Sequence, residues 1–342
     1  MTNSIRLALA CVSFTVACAG ATEAPPADLS NGLREAFETE ADILEHSGLC
    51  DASAVVWIDA ERFVVAGDED NWLRLYRHGV AEPQELVGLD EFLAVDPDHP
   101  EADIEAAAAV GDTIYWLTSH GRNRNAKPRP GRHRFFATTF SEGRLEPAGR
   151  PYQELVAQLI ADERYAVFDL DQAARRAPKS PGGLNLEGLA PWTAGTLLIG
   201  ARNPVPEGLA LLIPLENPEQ VVFAAAAPVF GEPLRLDLDG RGVRALERLD
   251  DAGFLISAGS PGGRADRIYF WSGSPDDVPV RVANLDLNIE GAAYHAERGR
   301  LLLVADDGGK LVRGTPCKVT PDVADRRFSL RTLDLQPLAD SP

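Results

Sequence analysis

From about residue 50 onward, short apolar runs alternate with polar turns. The runs at 63–66, 113–117, 196–200, 254–257 and 301–304 each read as a buried strand. Each follows a turn with Gly or Asp, and before it an acidic residue sits among small ones. These segments are Cys50-Asp51-Ala52-Ser53-Ala54, Asp103-Ile104-Glu105-Ala106-Ala107, Asn185-Leu186-Glu187-Gly188-Leu189, Arg244-Ala245-Leu246-Glu247 and Asn288-Ile289-Glu290-Gly291-Ala292. Third strands are predicted at 72–77, 134–139, 209–214 and 267–271. Fourth strands are predicted at 85–88, 220–224, 280–283 and 329–333.

Four short strands per unit, repeating every 40–80 residues or so, is the arithmetic of a β-propeller. A parallel α/β fold needs a helix after each strand, and amphipathic helices are nearly absent. A sandwich leaves the recurring acid unexplained. The expected fold is therefore all-β: a single propeller of four-stranded blades over residues 45–340. Five motif copies imply five blades, or six if part of the insertion or residues 33–47 builds another sheet. One good helix is predicted at 151–163, with Leu155, Leu159 and Ile160 on one face. It falls in the longest gap between motifs, so residues 151–184 read as an insertion.

The N-terminus changes the picture of where the fold works. Residues 7–17 are apolar after the single charge of Arg6, and Ala19-Gly20-Ala21 suits signal peptidase. The run is too short for a permanent membrane span. A competing reading is a lipobox ending at Cys18, which would anchor the chain by lipid. Residues 22–44 read as a tether and a candidate closing strand. No later segment is apolar enough to span a membrane. The expected destination is periplasmic or extracellular, as a monomer.

Charge narrows the partners. Against 33 Lys and Arg stand 52 Asp and Glu, a net charge of −19. That disfavours nucleic acid and anionic membrane surfaces. Loss of residues 1–21 removes two of the four cysteines and leaves Cys50 and Cys317. In an exported chain they form either a bridge or two buried free thiols. A propeller closes by pairing its chain ends, so a Cys50–Cys317 bridge would staple the first blade to the last.

Candidate chemistry follows from the repeat. If the inner strand of each blade lines the channel, Asp51, Glu105, Glu187, Glu247 and Glu290 form a ring. Like charges at close range resist joint ionisation. The ring is relieved by a bound cation such as Ca²⁺, by arginine partners, or by protonation. Asp68, Asp70, Asp306 and Asp307 lie in the following loops. The second candidate is the basic stretch from His120 to Arg134, with Arg122 and Asn123. Joined by Arg202, Asn203, Arg244 and Arg264, it would hold an anion over the channel mouth. Nucleophilic catalysis has little support, because there is no Gly-x-Ser-x-Gly elbow and the histidines lack zinc spacing.

These segments resemble the bacterial domain of unknown function 3616 family. The resemblance rests on Gly48-Leu49-Cys50-Asp51-Ala52-Ser53-Ala54, Asp68-Glu69-Asp70-Asn71, Ser119-His120-Gly121-Arg122-Asn123 and the two Asn-x-Glu-Gly elements at 185–188 and 288–291. It implies a propeller and marks these positions without implying a reaction. The Asn-x-Glu-Gly element is also similar to one in phytase-like esterase propellers.

Two functions are expected. The first is binding of a small or anionic ligand, or of an envelope protein, at the channel mouth through Asp68, Asp70, His120, Arg122, Asn123, Arg202 and Asn203. The second is metal-dependent hydrolysis of phosphoesters or esters. There Glu187 or Glu290 would act as ligand or general base, and Arg122 and Arg202 as clamps.

Overall fold

A computed structural model describes residues 27–39, 42–193 and 195–335. The segment expected to be a signal, with Cys18, lies outside the described residues. The described chain is all-β, built of five four-stranded antiparallel sheets and one two-stranded hairpin. From the inside outward, the first sheet comprises Ala52–Trp57, Arg62–Gly67, Trp72–Arg77 and Glu85–Gly88. The second comprises Ile104–Val110, Thr113–Thr118, Phe135–Ser141 and Arg144–Tyr152. The third comprises Asn185–Pro191, Leu197–Asn203, Ala210–Leu215 and Leu234–Leu236, and the fourth Gly242–Arg248, Phe254–Gly259, Ala265–Trp271 and Val280–Asn284. The fifth runs Ile289–His295, Arg300–Ala305, Arg327–Asp334 and ends on Ile43–Ser47.

Each sheet's first strand packs against the first strand of the next, and that of the fifth returns to that of the first. This closed circuit, with strands ordered radially, is consistent with a propeller. Burial follows the radius. The first strand, Ala52–Trp57, is buried throughout, whereas Glu85–Gly88 alternates between half-buried and exposed. Apolar side chains on both faces of each middle strand fill the wedges between sheets. Trp116 packs with Phe136, and Trp271 with Phe254, so these aromatics serve packing.

The fifth sheet closes the circle. Ile43 to Ser47 pair antiparallel with Arg331 to Arg327, so the N-terminal strand is the outer strand of the C-terminal sheet. A disulfide joins Cys50, just before the first inner strand, to Cys317, in the loop of the fifth sheet. Residues 329–333 are thus a third strand, not a fourth.

Three other expectations are corrected. Residues 220–224 are not a strand: Pro218–Ala224 is a helix, with Pro218 supplying a helix-compatible φ in its first turn. The true fourth strand is Leu234–Leu236. Within 151–163, residues 151 and 152 complete the strand Arg144–Tyr152, and the helix spans only Leu155–Ala161. Part of the expected tether, Ala27–Glu38, is helical. Its Leu33 and Phe37 bury against Val282 and Leu333 of the fourth and fifth sheets.

The insertion packs Leu155, Leu159, Tyr165 and Phe168 onto the third sheet. Its far end, around Pro178–Ser180, is pinned by Asn203, whose Nδ2 donates to the carbonyls of Pro178 and Ser180 at 2.8 and 2.7 Å. That contact brings the insertion to the rim of the channel.

Candidate functional site

Every inner strand carries a β-bulge at the same place. The residues skipped by the pairing are Ser53, Glu105, Glu187, Arg244 and Glu290. A bulge re-aims its side chain. The structural ring is therefore three carboxylates, one guanidinium and one hydroxyl, not the five acids expected. Glu247 lies three residues along its strand from the ring position. It faces a separate cavity of about 240 Å³ at the other end of the channel, beside Arg248 and Tyr294. Asp51 precedes its bulge by two residues, and its backbone bridges to Asp306.

The ring is partly locked. Arg202 Nη1 donates to Glu187 Oε1 at 2.5 Å, and its other nitrogens bond the carbonyls of Pro261 and Gly263. Arg244 Nη2 donates to Glu290 Oε1, and its Nε makes a 3.1 Å ion pair with Glu187 Oε2. All four residues are buried. The Asn-x-Glu-Gly element now has a physical reading. Asn185 Nδ2 and Asn288 Nδ2 each donate to the glutamate two residues on, at 2.5 and 2.8 Å. The glycine makes room for the neighbouring sheet: a Cβ on Gly188 would stand 2.7 Å from Val243 Cγ1, and one on Gly291 3.1 Å from the Ser53 carbonyl.

Glu105 differs. It is 6% exposed, and no hydrogen bond or ion pair reaches its carboxylate among the described residues. Burial holds its carboxyl well above the usual range, with Glu187 and Asp103 adding repulsion. It faces a cavity of about 760 Å³ over the ring. Asp68 faces the same cavity, and its Oδ1 is shielded from solvent without a partner among the described residues. Burial, then the charges of Asp103 and Asp51, raises it well above the usual range. Asp51 is pushed up to about 8 by burial and by Asp306. Glu101 is pushed up to about 7 by burial and by Asp103. Below the ring the lumen narrows between Val55, Ala107, Leu189, Leu246 and Ala292 to about 10 Å³, room for about one water.

Of the residues expected at the channel mouth, Asp68, Glu105, Asn123, Glu187, Arg202 and Glu290 line this cavity. Several others are held in structural contacts elsewhere. Asp70 is bound by both Arg74 nitrogens at 2.9 and 2.6 Å. Arg122 is bonded to the carbonyls of Ala174 and Ala126. Asn123 lines the cavity, but its Oδ1 holds its own loop through the N–H groups of Asn125 and Lys127. His120 is buried against His133, and burial lowers its pKa to about 3, so its ring stays neutral. Asn203 pins the insertion, as described above.

The sequence reading passed over Glu101 as well as Lys179, Lys318 and Glu69 as parts of this site. Glu101 and Asp103 share Arg132, with a 2.9 Å contact from its Nη1 to Asp103 Oδ2. Lys179 sits in the insertion and Lys318 beside the disulfide. Only the fold brings them to the mouth. Arg124, Arg129 and Lys179 line the cavity with no carboxylate partner among the described residues.

The chain has no match among curated proteins. Among solved structures it is similar to Myxococcus xanthus glutaminyl cyclase, at 15% identity and a TM-score of 0.41 over 86% of this chain and 97% of that one. It is also similar to the PQQ-bound aldose sugar dehydrogenase of Streptomyces coelicolor, at 13% identity and a TM-score of 0.42 over 86% of this chain and 99% of that one. No activity is carried over from either. Residues 141–274, from the outer strand of the second sheet through most of the fourth, match the family described as a protein of unknown function (DUF3616), the family that the sequence motifs resemble.

Proposed function

We propose that this chain is an exported, five-bladed propeller that binds a small anionic ligand in the cavity at its channel mouth. The blade number rests on the five four-stranded sheets and the closed circuit of their inner strands. Export is supported by the bridge between Cys50 and Cys317 and by the N-terminal pattern. No helix among the described residues is long and apolar enough to cross a membrane.

The observation that carries the binding reading is a group of cations in the cavity wall that its acids do not engage. Arg124, Arg129 and Lys179, on the walls built by the second sheet and the insertion, have no carboxylate partner among the described residues. Guanidinium and ammonium groups in this setting suit a phosphate or carboxylate. Binding is favoured over hydrolysis because Glu187 and Glu290, the expected bases, are tied to Arg202 and Arg244. Arg122, the expected clamp, is held by backbone carbonyls.

The test is a thermal-shift screen of phosphorylated and polycarboxylate compounds, followed by calorimetry on hits. Arg124→Ser combined with Lys179→Ser should weaken binding by about tenfold or more, since charged hydrogen bonds are each worth roughly 1.5–3 kcal/mol. Unchanged affinity in the double variant would overturn the assignment, as would a hydrolytic turnover of the same compounds.

A further inference from the structure

Where the first and fifth sheets meet, Asp51, Asp68 and Glu69 each offer a carboxylate oxygen, and these oxygens lie within 4.8 Å of one another. Hard-cation geometry matches that spread. Ca²⁺ holds oxygens at about 2.3–2.6 Å, so two ligands on opposite sides of it stand up to roughly 5 Å apart. Mg²⁺, at about 2.0–2.1 Å, asks for a tighter set.

Three further observations mark this as a built site. Asp68 Oδ1 is sealed from solvent and accepts no hydrogen bond among the described residues, a state that costs free energy unless something positive is met there. Asp51 is 8% exposed, and its carboxylate fills the space beside Gly308, where a Cβ would fall 1.7 Å from Oδ1. Glu105, unpartnered and 6% exposed, faces the same cavity as Asp68 and Glu69. A basic group beside the cluster is Lys318. Its Nζ stands 3.6 Å from Glu69 Oε1, beyond hydrogen-bond reach, and its side chain is 49% exposed.

We propose that Asp51, Asp68 and Glu69 form a binding site for a divalent cation of the Ca²⁺ type. The three carboxylates supply three to six oxygens by single or paired contact, and water from the cavity completes the shell. The disulfide flanks the site: Cys50 precedes Asp51 directly, and Cys317 precedes Lys318. This inference deepens the reading of the cavity as a ligand site but needs only its acidic wall. Its test therefore contains no anion.

The experiment is calorimetric titration of chelator-treated protein with Ca²⁺ alone, paired with thermal melting. One site per chain is expected, with a Tm rise of about 5 °C at a hundredfold excess over Kd. Asp68→Asn and Glu69→Gln should each weaken binding about tenfold or more, Glu69→Gln being the safer for folding because it lies at the surface. Gly308→Ala should also weaken it, by displacing Asp51. Glu247→Gln, at the other end of the channel, should leave it unchanged. Lys318→Met separates the two cations available. Tighter or equal Ca²⁺ binding supports the metal site. Loss of Tm in Lys318→Met together with no Ca²⁺ response in the parent protein assigns the cluster to the lysine and overturns the proposal. Ca²⁺ binding that survives both Asp68→Asn and Glu69→Gln overturns the location. Loss of anion binding with Ca²⁺ binding intact would refute only the anion reading.

Discussion

Two sets of carboxylates face one channel mouth, and they have opposite fates. On the third, fourth and fifth sheets, Glu187 and Glu290 meet Arg202 and Arg244, and each also accepts from an asparagine two residues earlier. On the first and second sheets, the sealed Asp68 Oδ1 and the buried Glu105 carboxylate meet no partner among the described residues. Glu105 is as buried as Glu290, so burial alone does not decide the role of these acids. The difference is the bulge residue of the fourth sheet. Arg244 there serves two neighbours at once, whereas the first sheet places Ser53 at the same position, and its hydroxyl is spent on the carbonyl of Ile104. One half of the mouth is a lock that joins sheets, and the other is an open electrostatic demand.

The largest effect should come from breaking the lock. Arg244→Ala leaves two buried carboxylates short of their partner, and we expect a loss of about 3–5 kcal/mol in denaturant unfolding. Adding Glu290→Gln should restore part of it. A loss below about 1 kcal/mol would erase the distinction between the two halves.

Glu105→Gln should act in the other sense. With its folded pKa raised, Glu105 keeps its proton to higher pH in the native state than in the unfolded chain, which releases it around the ordinary value of 4.5. The native state then binds more protons, so stability falls as pH rises from there toward the folded pKa. The metal-free Glu105→Gln protein should be more stable than the parent at pH 8, by about 1–2 kcal/mol, and nearly equal to it at pH 4.5. Glu187→Gln should destabilise at both. Melting curves at the two pH values check the contrast, and a Glu105→Gln protein weakened at pH 8 would place Glu105 with the lock.

The smallest effect sharpens the comparison by using the far end of the channel. Among the described residues Glu247 accepts only the Tyr294 N–H, at 2.7 Å, and burial pushes it up to about 8. By the same sign, its contribution declines between pH 4.5 and about 8. Glu247→Gln should flatten that slope and gain about 1 kcal/mol or less at pH 8, because the cavity beside it is open to water. Its Ca²⁺ response should match that of the parent protein.

Much of this architecture was legible along the chain. The acid-turn-strand repeat locates all five inner strands, because a buried strand needs an apolar run and a turn needs Gly or Asp at either end. The outer strands were harder. Leu234–Leu236 is three residues long, and the helix before it, Pro218–Ala224, carries a strand-like Val221-Val222-Phe223. The outer strand of the fifth sheet comes from the other end of the chain, and no local pattern shows that.

The site was half legible. Asn185-Leu186-Glu187-Gly188 and Asn288-Ile289-Glu290-Gly291 are local devices: the asparagine orients the acid and the glycine admits the next sheet, so their meaning is contained in four residues. The fourth repeat misled, because aligning acid with acid selects Glu247, whereas the bulge puts Arg244 in register. A bulge shifts the register by one residue, and its position is set by pairing with the next strand.

The sequence by itself determined the repeat, the inner strands, the surplus of acid and the few residues able to answer it. Only the tertiary structure decided which acid meets which arginine. Arg244 reaches Glu187 and Glu290 across 57 and 46 residues of chain, and Lys318 meets Glu69 across the closure of the ring. The physical reason is range. Turns, strands and the asparagine-held glutamates are set by neighbours in the chain, whereas ion pairing and desolvation depend on neighbours in space.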